Sequence, residues 1–148
     1  MPNLQTDPRP KRFDIAAQVA EIAGLLDWVD GVLRDAQLPD TVRRHVMLGI
    51  EEVAANAIIH GEMRQDDGPV RTSLLILRDG VQVDLVYGGR AFDPTGPQEP
   101  PEPSAETLGG HGLALVRAFS RTFEYRRAGA RNHVTLEFEV NGLRSDPT

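Results

Sequence analysis

The 148-residue chain contains no cysteine, a single lysine and no long apolar run. Without thiols there is neither a disulfide framework nor a thiolate metal site. Lys11 stands against 15 arginines, so a phosphate-binding P-loop, which places lysine directly after its glycines, cannot be built. Any nucleotide must be held some other way. No stretch approaches the roughly 18 apolar residues of a membrane span, and Met1 to Asp14 is polar and proline-containing rather than a hydrophobic leader. The expectation is a soluble, cytoplasmic protein that does not engage membranes. An excess of basic charge is also missing. With 16 basic and 22 acidic side chains the formal net charge is −6, which offers no general attraction to phosphate backbones and speaks against a nucleic-acid partner.

What is present suffices for one domain, because a chain of this length buries about two-thirds of its unfolded surface. Residues 11–142 are expected to form it, between flexible ends at 1–10 and 143–148. From Ala16 to Ala36, Val19, Ile22, Leu26, Val29 and Leu33 recur at helical spacing. Asp40 is the expected N-cap of a second helix that runs through Val42, Val46, Ile50, Val53 and Ala57 and stops at Gly61. The period then changes to two. Val70 to Arg78 and Val81 to Tyr87 flank Asp79-Gly80, a hairpin dipeptide, and the second strand places Val81, Val83, Leu85 and Tyr87 on one face. Asp93 to Glu106 is rich in proline and glutamate, a composition that suggests a functional loop. Gly109-Gly110-His111-Gly112 precedes a short helix over Leu113 to Phe119. Strands at Thr122 to Arg127 and His133 to Val140 close the chain. Two helices before clustered strands predict an α+β, two-layer sandwich with a mixed, mostly antiparallel sheet and helices on one face.

Three sites carry candidate chemistry. Glu52, Asn56 and His60, four apart, form one polar stripe on the second helix. A solvated outer face would show the same spacing, whereas the small apolar residues around the stripe suit a cavity border. A carboxylate beside an amide oxygen suits a base and a hard-metal ligand. Gly109 to Gly112 opens a helix, where freed backbone N–H groups attract anions, although glycine clusters also make plain turns. Gly88-Gly89-Arg90-Ala91-Phe92-Asp93-Pro94 follows a strand and lets backbone approach a ligand closely.

In this order, a Glu-x-x-x-Asn-x-x-x-His helix, a Gly-x-x-Phe-Asp-Pro strand end, a proline-rich loop and a Gly-x-Gly-Leu-x-Leu-Val-Arg segment resemble the GHKL (Bergerat-fold) ATPases. The anti-sigma regulatory factor branch of serine/threonine kinases is the most similar. The resemblance runs from about Phe13 to Phe138 and includes Gly110 to Arg117, Tyr125-Arg126-Arg127 and Arg131 to Leu136. It implies the Bergerat, histidine-kinase-like form of the sandwich, with Glu52 as general base, Asn56 as ligand of the Mg2+ of Mg-ATP and Thr95 to Leu108 as a lid. It groups His60, Tyr87, Gly89, Phe92, Gly110, His111, Gly112 and Leu113 with Asn56 around ATP. The implied reaction is phosphoryl transfer to a Ser or Thr of an anti-anti-sigma antagonist. The implied partners are that antagonist and a sigma factor or other regulated protein, with homodimerisation common. One position departs from the pattern: Tyr87 stands where the family carries the aspartate that receives the adenine amino group. Tyr87 is thus either an altered base contact or simply an inward aromatic at a strand end, and a module acting by protein binding alone is the alternative function.

Overall fold

The computed structural model describes residues 7–96 and 112–140. Among them the strands are β1 (Asp7–Ile15), β2 (Val70–Leu77), β3 (Gly80–Tyr87), β4 (Thr122–Ala128) and β5 (Arg131–Glu139). The helices are α1 (Ile22–Asp35), α2 (Asp40–Ile59) and α3 (Gly112–Phe119), with single 3-10 turns at Val19–Glu21 and Gln65–Asp67. The strands form one five-stranded sheet in the order β1-β2-β3-β5-β4. Every pairing in it is antiparallel. The α+β sandwich is therefore as the periodicity implied, with a purely antiparallel rather than mixed sheet.

Alternation decides which face is covered. Val70, Leu74 and Ile76 of β2, Val81, Val83, Leu85 and Tyr87 of β3, and Val134, Leu136 and Phe138 of β5 are all buried. They meet Val46, Ile50, Val53 and Ala57 of α2, which lies between α1 and α3 and packs on β3 and β5. Burying this row at roughly 25 cal/mol per Å² supplies the main driving force for folding. The opposite sheet face is polar and half-exposed, and there Asp84 accepts hydrogen bonds from Gln82 (3.0 Å) and Thr135 (2.7 Å).

Several local expectations shift. In α1 the core face is Ile22, Leu25, Val29 and Leu33, while Val19 is 49% exposed. Leu25 takes the fully buried place, and Leu26, the next residue round the same helix, is half-buried at the edge of that face. Asp40 is the first helical residue rather than the cap, since Pro39 occupies the cap position. Its carboxylate instead accepts from Arg43 at 2.5 Å. Leu77 pairs with Gly80, so Arg78 and Asp79 make the hairpin turn, and neither has a positive φ. Gly80 belongs to the ladder and faces Glu139.

The expected boundary at residue 10 falls inside β1, whose backbone pairs with β2 from Asp7 to Ile15. Its register shifts between Asp7 and Lys11, where Pro8 and Pro10 interrupt donation. An edge strand tolerates this. Phe13 holds it to the helix layer by stacking on Trp28, with ring centroids 5.2 Å apart. The proposed C-terminal end, 143–148, lies outside the described residues, as does most of the proline-rich segment, 97–108.

Thr72 sits in the buried row of β2 at 0% exposure, and its Oγ1 has no hydrogen-bond partner. A buried hydroxyl without a partner costs about 1–3 kcal/mol. Thr72→Val keeps the β-branched shape and is expected to raise stability by about 1 kcal/mol, a Tm gain of roughly 2–4 °C by calorimetry. A lower melting temperature would show that the hydroxyl is used.

Candidate functional site

The polar stripe on α2 begins, at half-buried Glu52, beside the start of α3 and ends at exposed His60. Glu52 is half-buried, and its carboxyl lies directly against Gly112, the first residue of α3. A Cβ on Gly112 would fall 2.0 Å from the Glu52 Cδ. Any larger residue at Gly112 would require the Glu52 carboxyl to swing away from this position. Burial pushes the Glu52 carboxyl above the ordinary glutamate range, and the like charge of Glu51 pushes it further. Glu51 itself is exposed, one residue round the helix.

Asn56 is one turn further along α2. Its Nδ2 donates to the Glu52 carbonyl at 2.6 Å, so its Oδ1 is the oxygen left to meet a ligand. His60 caps the helix: its N–H and that of Gly61 both donate to the Asn56 carbonyl, at 2.8 and 3.2 Å. The His60 ring is exposed and stacks on Phe92 with centroids 6.2 Å apart. The structure therefore brings Glu52, Asn56 and His60 along one helix face, with Gly112 opposite the first and Phe92 opposite the last.

Tyr87 ends β3 at 1% exposure, and its hydroxyl donates to the Phe92 carbonyl at 3.0 Å. Burial, the main cause, and the nearby Tyr125 and Asp93 push the phenol upward, so it stays neutral. It is an inward aromatic, and it also fills the strand end beside the loop. Gly89 follows at φ +80, and a side chain at Gly88 would strike the Asp67 carbonyl. Both glycines are thus required by the turn. Gly110 and His111, with the lid segment 97–108, lie outside the described residues.

Asn132, the residue that sequence reasoning passed over, organises this loop. It is 0% exposed, and its Nδ2 donates to the carbonyls of Tyr87 (3.3 Å), Gly88 (3.0 Å) and Arg90 (3.2 Å). Its Oδ1 accepts from the Phe92 N–H at 3.2 Å and the Tyr125 hydroxyl at 2.6 Å. A signal was available. Asn132 continues the buried alternating row of Val134, Leu136 and Phe138, and an amide at such a position needs partners.

A cleft of about 540 Å³ lies beyond the end of α2, lined in part by Gly61, Arg64, Asp67, Gly89, Arg90 and Arg131. Glu52 and Asn56 are not among its walls. Among the described residues no group of three or more His, Cys, Asp or Glu could hold a metal ion, and no helix is long and apolar enough to cross a membrane.

The family described as histidine kinase-like ATPase domain matches residues 15–138 of this chain. The chain is 28% identical over 129 residues to the serine/threonine-protein kinase BtrW of Bordetella bronchiseptica, covering 84% of this chain and 89% of that protein. Its fold is similar to the RsbU and RsbW domains of Rv1364c from Mycobacterium tuberculosis, with a TM-score of 0.67 at 13% identity. That match covers 89% of this chain and 32% of the other, so the chain spans about a third of that structure. It is also similar to the histidine kinase domain of the blue-light activated kinase from Erythrobacter litoralis EL346, with a TM-score of 0.54 and 16% identity over 95% of this chain and 66% of that one.

Proposed function

The chain belongs to the histidine kinase-like ATPase domain family, and on that premise we propose that it is an anti-sigma-type regulatory kinase. It binds Mg-ATP and phosphorylates a Ser or Thr of an antagonist protein in a partner-switching circuit. The observation that carries this reading is Glu52. Its carboxyl is half-buried, raised in pKa and set against the helix start at Gly112, with the Asn56 oxygen one turn away. A partly desolvated base held at one spot is what proton removal from an incoming hydroxyl requires.

The residues present fit magnesium. Asn56 offers a hard oxygen, and no described acidic cluster competes for the ion, which agrees with a metal bound mainly through nucleotide phosphates and water. When bound, it offsets charge on those phosphates. The backbone N–H groups of Gly112 and Leu113, at the positive end of α3, would meet the phosphates. Glu52 takes the proton of the attacking Ser or Thr hydroxyl. His60, Gly89 and Phe92 would border the adenine, next to Tyr87. The Bordetella relative is named a serine/threonine kinase, and the Mycobacterium structure joins RsbU and RsbW domains. The first name supports the kinase part of this reading; in the proposed circuit a sigma factor or similar regulator and its antagonist compete for one surface of a cytoplasmic, homodimer-forming protein. A net charge of −6 suits protein partners better than DNA.

Titration calorimetry with Mg-ATP and Mg-ADP tests this directly. Saturable binding is expected. Nucleotide at a hundredfold over Kd then adds about 2.7 kcal/mol of native-state stability, seen as a rise in Tm of several degrees. Absence of binding at millimolar nucleotide removes the kinase reading.

A second reading is favoured by Tyr87. Its buried ring and its bond to the Phe92 carbonyl occupy the position of the missing carboxylate, which suits a module that captures partners without ATP. In that case Mg-ATP leaves Tm unchanged.

A further inference from the structure

We propose that Asn132 is a positioning residue for nucleotide binding, acting through the Tyr87–Phe92 loop. The proposal rests on the Mg-ATP reading above and names a residue on the far hairpin as its organiser. One amide, 44 or more residues away in sequence from the carbonyls of Tyr87 and Gly88, holds both of them. It also holds the Arg90 carbonyl and the Phe92 N–H. Its two N–H groups are shared among three carbonyls and its oxygen is filled by Phe92 and Tyr125, so its capacity is used up. Side chains hold two further carbonyls of the loop. Arg127, on the same β4–β5 hairpin, donates to Gly89 at 2.9 Å, and the Tyr87 hydroxyl donates to Phe92.

The loop in turn grips the end of α2. Arg90 donates to the His60 carbonyl at 2.9 Å, and the Phe92 ring stacks on His60. The chain of contacts therefore runs from Asn132 through Arg90 and Phe92 to the helix that carries Asn56 and Glu52. It fixes the base end of the site relative to the phosphate end. For core filling alone an apolar side chain would continue the row of Val134 and Leu136. An amide there is worthwhile because its polar atoms are all used to hold one loop in one shape.

Asn132→Asp keeps the size and the acceptor oxygen but replaces the donor facing three carbonyls. In chain shown to be folded by circular dichroism at the assay temperature, its Kd for Mg-ATP is expected to rise at least about tenfold. Transfer at saturating nucleotide should stay within about threefold, since Glu52 and Asn56 are untouched. A merely structural role would lower the folded fraction without this split. Arg127→Ala, at an exposed site, is the companion variant; it frees the Gly89 carbonyl of the loop, along with the Gly129 carbonyl in its own hairpin turn, and should weaken binding about threefold. Folded Asn132→Asp chain with an unchanged Kd overturns the proposal, as does unchanged affinity in Arg127→Ala should the first variant not fold. If the unmodified chain itself fails to bind Mg-ATP, both this proposal and the kinase reading fall. Binding by the unmodified chain with indifferent variants removes only the role of Asn132.

Discussion

Glu52→Gln is expected to lower phosphoryl transfer by about 10²–10⁴-fold while leaving Mg-ATP affinity unchanged or slightly tighter. The substitution keeps the shape that Gly112 accommodates but removes the proton acceptor. Affinity is spared because the carboxylate lies toward the phosphate end, where its charge repels rather than holds. The pH dependence gives a second handle. Burial first and Glu51 second raise the Glu52 pKa, so the acid limb of the rate profile should lie above the ordinary glutamate range. Rate should rise with pH as the carboxyl deprotonates. Glu51→Gln removes the like charge and should move that limb to lower pH. The same shift has a stability consequence of fixed sign. The folded state holds this proton more tightly than the unfolded chain, so the carboxyl's cost to stability is absent below the unfolded pKa and complete above the folded one. At neutral pH Glu52→Gln should therefore melt at or above the unmodified protein. Full transfer activity in the glutamine variant would remove Glu52 as base.

The regular elements were legible in the sequence because their burial is periodic. The row Val42, Val46, Ile50, Val53 and Ala57 reads as one helix face and is buried as one. The alternation in β2, β3 and β5 likewise survives in the structure. β1 was hidden because an edge strand needs few apolar contacts. Prolines and charges fill its first half, and among its described side chains only Phe13 and Ile15 reach the core layer. The Leu25 for Leu26 exchange shows that spacings of three and four both suit one helix face, so periodicity alone does not choose between adjacent leucines. At the site, the spacing of Glu52, Asn56 and His60 was readable from helix geometry alone. The pairing of Glu52 with Gly112 was not, since it depends on how α3 lies across α2. Asn132 stands in a visible alternating row that calls for partners, but which loop supplies them is set by another strand's end and not by any local pattern. Side-chain chemistry is local in sequence on one helix, but a loop's hydrogen-bond partners are set by topology.

The other large effect is expected at Tyr87, where restoring a carboxylate should turn a weak nucleotide site into a stronger one. Tyr87→Asp shortens a side chain that is 1% exposed and ends against the Phe92 carbonyl. It thereby opens the strand end and supplies an acceptor for an exocyclic amine. A hydrogen bond to a charged group contributes roughly 1.5–3 kcal/mol, so Mg-ATP should bind about ten- to a hundredfold more tightly. The gain should be confined to adenine nucleotides, because guanine presents a carbonyl where adenine presents its amine. The fold will register the loss of the ring. Truncating a buried aromatic costs about 3–5 kcal/mol, so the variant should melt well below the unmodified chain without nucleotide and regain part of the difference with saturating Mg-ATP. Tyr87→Phe separates ring from hydroxyl: it keeps the filled strand end, frees the Phe92 carbonyl and should leave affinity as weak as before. Calorimetry on the three proteins, with Mg-ATP and Mg-GTP in parallel, decides the matter. An aspartate variant that folds yet binds Mg-ATP no better than the tyrosine chain would show that Tyr87 is not what limits the site.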